Sequence, residues 1–323
     1  MLEVLRIKFN NQNYMNFKKD IDEHLYNALV KNGIKIDKND KKLAIHYFDI
    51  RERLIDFDIK FKTLKSKEIY EILSSNILKD EEMLSFNDIV FRLENNQPID
   101  MYLSNSVYNI SIDRSDYLLK NWGIYHLHLE KKNSITNSFE RKSDLLLFLK
   151  ISANWKNILL ISIDKHPKSE TWYQEKWLKI IDDNWDSELM CYDGGLKVIN
   201  ELPENVVFKE TQRKICAVTI NNKVVFPYLG CASSGDSIIN VRRECDLYNF
   251  VRNLQEDTTK DYYKYFVDIS KYCRRHGIIF NKNLDFHIII EYLEPSSWFV
   301  LYEKSNKIKF KICPTKEIVG FNL

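Results

Sequence analysis

Apolar positions recur at helical spacing through the first third of the chain. They turn to strict alternation near residue 124, and then to unbroken apolar runs. From Tyr14 to Val30 the residues Tyr14, Phe17, Ile21, Leu25 and Leu29 fall at three- and four-residue steps, which predicts an amphipathic helix that Gly33 ends. Lys41 to Lys62 continues in the same mode with Ile45, Phe48, Ile50, Leu54 and Phe57, leaving Arg51, Arg53, Lys60 and Lys62 on a solvated face. Ser66 is placed to cap a short helix through Leu73, and Ser85 another through Leu93. Residues 1–112 therefore read as a helical region.

The period then changes. Alternation from Ile124 to Leu129 puts Tyr125, Leu127 and Leu129 on one face of a strand and His126 and His128 together on the other. Leu145 to Leu149 is apolar without alternation, as in a central strand covered on both faces. A third run, Ile158 to Ile163, leads to Asp164 and His166. Short connections favour an antiparallel meander of the three, and this order gathers His128, Arg141, Ser143 and His166 at one end of the sheet. Helices over Asp116–Lys120 and Glu175–Ile181 should flank it, with Trp172, Trp177 and Trp185 supplying packing or, alternatively, surfaces for base stacking.

Asp193-Gly194-Gly195 marks a turn and a boundary. Beyond it, Ile215–Ile220 and Val224–Phe226 read as strands joined at Asn221-Asn222. Residues 238–275 read as one long or two shorter helices, and Phe286–Ile290, Trp298–Tyr302 and Ile308–Ile312 as strands. Lys271, Arg274, Arg275 and His276 crowd the end of the helical stretch, where positive charge complements the helix dipole; contact with nucleic acid is their other use. The expected architecture is α+β: a helical N-terminal region (1–112), a central, mostly antiparallel sheet with flanking helices (113–192), and a C-terminal mixed α/β segment (193–323) that could extend the same sheet.

A length of 323 residues supports a large core. Lys and Arg total 48 against 46 Asp and Glu, a formal charge of +2, so any basic footprint for nucleic acid must be local. The six cysteines, at 191, 216, 231, 245, 273 and 313, show no close spacing of the kind a zinc or redox motif uses, and read as mainly buried thiols in a reducing compartment. No signal-like segment or long apolar span is present, which makes the cytoplasm the expected location and a membrane an unexpected partner. The loop Gly230–Ser237 has the glycine spacing of a phosphate-binding loop, but Asp236 stands where the essential Lys belongs, which argues against nucleotide hydrolysis.

The order of helix, Gly-containing strand, strand opening near an Arg, and strand ending in His over residues 113–166 resembles the compact endoribonuclease toxins related to RelE, within the wider group of barnase, EndoU and colicin nucleases. The His126-x-His128 pair is not part of that pattern. The resemblance implies Arg141 as a phosphate-binding cation and His166 as an acid or base. It also implies RNA as substrate, a toxin or antiphage role, and a neutralising antitoxin or phage-derived trigger as partner. On the residues themselves, His128 and His166 are candidates for the acid/base pair of a metal-independent cleavage, with His126 and Ser143 as orienting groups. Glu130 reads as an exposed carboxylate whose other use is as a base. Two alternatives stay open: a zinc site built from His126, His128 and His166, for which strands two spacings apart, roughly 10 Å, are a poor start, and a non-catalytic adaptor or inhibitor.

Overall fold

The computed structural model describes residues 15–55, 60–108, 116–133, 137–140, 143–167, 175–185, 187–192, 217–227, 236–292 and 298–312. In chain order these form helices α1 (Phe17–Lys31) and α2 (Leu43–Arg53), strand β1 (Lys62–Lys65), helices α3 (Lys67–Ser74) and α4 (Asp80–Glu94), two short 3-10 turns (Asp100–Tyr102 and Asn105–Tyr108), and helix α5 (Tyr117–Trp122). Strands β2 (Ile124–His128), β3 (Leu145–Ile151) and β4 (Asn157–Lys165) follow, then helix α6 (Glu175–Asn184) and strands β5 (Met190–Tyr192), β6 (Val218–Ile220) and β7 (Lys223–Phe226). The remaining elements are helices α7 (Ile238–Lys260) and α8 (Tyr262–Arg275), and strands β8 (Phe286–Tyr292), β9 (Trp298–Glu303) and β10 (Ile308–Ile312). The chain is an α+β protein.

It divides into two compact units, Met1–Tyr47 with Arg242–Leu323, and Phe48–Val241, with the division falling inside α2 and α7. The sequence boundaries at 112/113 and 192/193 both lie within the second unit.

The second unit is built on a four-stranded sheet in the order β1-β4-β3-β2. The expected meander is there: β2 and β4 both run antiparallel to β3. An edge strand, β1, is added in parallel to β4, with Lys62 opposite Asn157 and Lys65 opposite Leu160. This corrects the reading of Lys41 to Lys62 as helix. α2 stops at Arg53, and the chain re-enters as strand because the free edge of β4 offers Lys62–Lys65 a ladder of backbone partners.

Each face of this sheet has its own core. Tyr125, Leu127, Leu147, Leu149 and Leu160 pack with Phe86, Ile89 and Leu93 of α4. On the other face Ile124, Leu146, Phe148 and Ile161 pack with Leu118 and Trp122 of α5 and with Trp177, Leu178 and Ile181 of α6. The Trp177 ring stacks on Phe148 at 4.0 Å. The non-alternating run in β3 is thus covered on both sides. Val218, Ile220 and Val225, from a separate three-stranded sheet ordered β5-β7-β6, join the second core. Its hairpin turns at Asn221 and Asn222, whose φ values of +47° and +64° give the paired left-handed conformation that matches strand twist.

Ser66 caps α3 as expected, accepting from the Ile69 amide. α4 begins earlier than expected, with Lys79 as its cap residue, so Ser85 lies inside the helix. Asp80, Glu81 and Glu82 fill its first turn, where carboxylates suit the dipole, and Glu82 accepts from the Lys79 amide. Arg53 is buried rather than solvated, because Asp49 pairs with it at 2.6 Å and Val107 O accepts from it.

In the first unit, α1 buries Phe17, Ile21, Leu25 and Leu29, the stripe read from the sequence, and Gly33 closes it at φ +79°. Tyr14 lies outside the described residues. The stretch 238–275 is two helices, and β8, β9 and β10 form an antiparallel sheet of their own, so the C-terminal strands do not extend the central sheet. Cys273 is buried, Cys191 half-buried and Cys245 exposed, so the expectation of mainly buried thiols holds for one of the three described cysteines. No described helix is long and apolar enough to cross a membrane.

Candidate functional site

His166 owes its placement to a defect in β4. His126 pairs with Phe148 and His128 with Leu146, so both rings share the face of β2 that carries Ile124, as alternation predicts. Strict alternation along β4 from Leu160, which faces α4, would carry residues 162, 164 and 166 to that same opposite face. Instead the register slips: Leu149 pairs with Leu160 but Phe148 pairs with Ser162, leaving Ile161 as an extra residue. This β-bulge flips the parity of everything after it. Asp164 then lies opposite Leu146, and the His166 ring reaches within 6.1 Å of the His128 ring, centroid to centroid.

The bulge has its own anchor. Fully buried Ser66 donates through Oγ to Ile161 O at 2.7 Å while its amide donates to Leu160 O at 3.1 Å. The serine that starts α3 therefore satisfies the carbonyl that the bulge removes from the ladder.

His128 is half-buried and His166 exposed. Burial pushes the His128 pKa down to about 4, helped by the charges of His126, His166 and Lys132, so its imidazole is neutral near pH 7. Burial lowers the His126 pKa as well; Asp116, whose Oδ2 lies 3.5 Å from Nδ1, opposes the shift, and His166 adds to it. His166 Nδ1 lies 2.9 Å from Pro167 O. A carbonyl oxygen only accepts, so Nδ1 carries hydrogen and, in the neutral ring, Nε2 keeps the lone pair.

Three neighbours escaped the sequence reading. The Phe139 ring lies 4.1 Å from that of His128, and Lys132 places Nζ 5.7 Å from the Phe139 centroid and 5.8 Å from that of Tyr108. Lys132 is 7% exposed, and its pKa is lowered by burial against the pull of Asp100. Both sit in a segment that reads as a polar loop; a single large aromatic in such a segment was the available signal. Asp116, the side-chain cap of α5, is a third. With Arg53 and Ser104 it lines a small cleft of about 40 Å³ beside His126.

Ser143 belongs elsewhere. Its Oγ donates to Glu82 Oε1 at 2.7 Å and its amide to Glu130 Oε2 at 3.4 Å. All three line a cleft of about 220 Å³ with Glu81, Glu140, Lys79 and Lys131. Glu130 is buried, not exposed, and its Oε1 has no hydrogen-bond partner among the described residues. Arg141 lies outside the described residues.

The arrangement offers two neighbouring imidazoles, His128 and His166, on the face that also carries His126, one fixed by a backbone carbonyl and one by an aromatic ring, with an ammonium group close by. Among the described residues no group of three or more His, Cys, Asp or Glu side chains is placed to hold a metal ion. No protein-family model matches this sequence, and comparison with curated proteins and with solved structures returns no match.

Proposed function

We propose that the Phe48–Val241 unit is a metal-independent endoribonuclease that acts in the cytoplasm as a toxin or antiphage effector, in the manner of the RelE-like enzymes its strand layout resembles. The single observation that supports this most is the approach of the His128 and His166 rings to 6.1 Å at one end of the sheet. Two proton-transfer groups on either side of a phosphodiester are what transesterification requires. The neutral His128 imidazole takes the proton of the ribose 2'-hydroxyl, and the resulting oxygen attacks phosphorus. The P–O5' bond breaks, and His166, in its protonated form, delivers a proton to the departing 5'-oxygen, leaving a 2',3'-cyclic phosphate. An anionic phosphodiester beside His128 counteracts the desolvation that holds its basicity down, so substrate binding itself prepares the base. Lys132 is the nearby cation for the charge that builds on the phosphoryl oxygens, a role also open to Arg141, and Phe139 and His126 hold the His128 ring in place. RNA is the substrate, and an antitoxin or phage-derived trigger is the regulating partner.

The test is RNA integrity. Wild-type protein cleaves RNA in the presence of a chelator, and His128→Ala and His166→Ala each lose at least about a hundredfold of that rate. Undiminished cleavage by either variant would remove the reading, and loss of wild-type activity in chelator would favour a metal-dependent site.

A further inference from the structure

The end of α8 carries a feature that the histidine site leaves unexplained. Between Ile269 and Leu284 the sequence contains Lys271, Arg274, Arg275 and Lys282 and no acidic residue. All four cations are exposed, and none pairs with a carboxylate among the described residues. Arg274 and Arg275, in the last turn, complement the helix dipole; Lys271 and Lys282 add charge beyond what the dipole uses, and the stretch as a whole attracts an anion.

The backbone fixes where they stand. Gly277 takes φ +65°, and Ile278 N donates to Cys273 O at 2.9 Å, the six-to-one hydrogen bond of a Schellman turn. One turn back, the Tyr272 and His276 rings stack at 4.1 Å and 26°, with Tyr272 45% exposed and His276 Nδ1 2.9 Å from Tyr272 O. The end of α8 therefore combines an ordered aromatic pair with the cations of its last turn, Arg274 and Arg275. Backbone-tracking charge beside a π-platform is the pattern by which single-stranded nucleic acid is held without sequence preference.

We infer that the α8 C-terminus is a single-stranded RNA-binding surface, in which Lys271, Arg274, Arg275 and Lys282 meet successive phosphates and the Tyr272–His276 pair stacks a base. It rests on the reading of the chain as an RNA-cleaving protein only for the choice of RNA as ligand; binding and cleavage are measured separately.

The probe is a short fluorescein-labelled oligouridine, followed by anisotropy with the full chain, both as wild type and as His128→Ala, across a salt series. Four phosphate contacts give a slope of log affinity against log salt of about −2.8, and Arg274→Ala/Arg275→Ala brings it to about −1.4. Tyr272→Ala weakens binding at least about fivefold while leaving the slope in place. Thermal melts of each variant confirm folding. A slope and affinity unchanged in the double Arg variant would overturn the inference. So would association with vesicles of anionic lipid in place of RNA, the outcome that Ile279, 94% exposed beside the cations, would produce at a bilayer surface. RNA held by this surface yet left whole by wild type would sink the nuclease reading and leave the binding site standing.

Discussion

Replacing Ser66 by alanine removes one hydroxyl from a site with no solvent access, and two separate losses follow. The Ile69 amide loses the side-chain oxygen that caps α3, 3.1 Å away, a change worth about 1 kcal/mol at an ordinary helix start. The Ile161 carbonyl loses a donor at 2.7 Å, and an unsatisfied buried acceptor adds about 1–3 kcal/mol. The sum is roughly 2–4 kcal/mol, which in a unit of this size lowers the melting temperature by roughly 5–15 °C. The second loss falls on the bulge that turns His166 toward His128, so RNA cleavage measured well below the melting point should fall too. Ser66→Asp supplies a cap acceptor for the helix but no donor for Ile161 and buries a carboxylate against that carbonyl, so it should be no more stable than Ser66→Ala. Circular dichroism melts and equilibrium guanidinium unfolding of the three proteins give the numbers. A Ser66→Ala protein melting within about 1 °C of wild type would show that the hydroxyl does not hold the bulge, and the account of how His166 reaches its face would fail with it.

Ser143→Ala removes the hydrogen bonds to Glu82 and from the Leu145 amide, and should cost about 1–2 kcal/mol while changing the cleavage rate by less than about twofold; a large rate loss at unchanged stability would return Ser143 to the histidine site. In the other unit, His287 stands between Asp20 of α1, at 3.2 Å, and Asp285, at 3.1 Å, with Tyr302 opposite it on β9. Burial works to lower its pKa, but the hydrogen bonds and charges of Asp20 and Asp285 outweigh it and raise the value above 6.5. The stability this contributes is present in full below the unfolded pKa of about 6.5 and is lost as pH climbs through the higher folded value. Amide exchange of α1 should therefore quicken across that window in wild type and lose this pH step in His287→Gln; an identical pH profile in the two proteins would count against the clamp.

What the sequence makes legible follows from periodicity. The α1 stripe, the split of His126 and His128 from Tyr125, Leu127 and Leu129, and the doubly covered β3 all rest on local spacing that the core then obeys. The same spacing is silent where tertiary contacts decide. Ile158 to Ile163 is apolar at nearly every position, so it carries no parity signal, and the carbonyl of the extra residue Ile161 is met by a hydrogen bond from Ser66, ninety-five positions away. β1 is four residues with two lysines, too short and too polar to announce itself, and it forms because β4 has an open edge. Lys132 and Phe139 sit in a segment whose composition is that of a loop; their closeness to His128 depends on how that loop folds back. Glu130 looked exposed because glutamate usually is, and only the packing of α4 against the sheet end encloses it.

The claim on which the functional account stands is that His128 and His166 act together on one phosphodiester. Single-turnover cleavage of a defined RNA in chelator, by wild type, His128→Ala, His166→Ala and the double variant, tests it most directly. Groups that work as a pair give non-additive losses: each single variant should fall about 10²–10⁴-fold, and the double variant little further. Losses that multiply, or a single variant that cleaves like wild type, would contradict it.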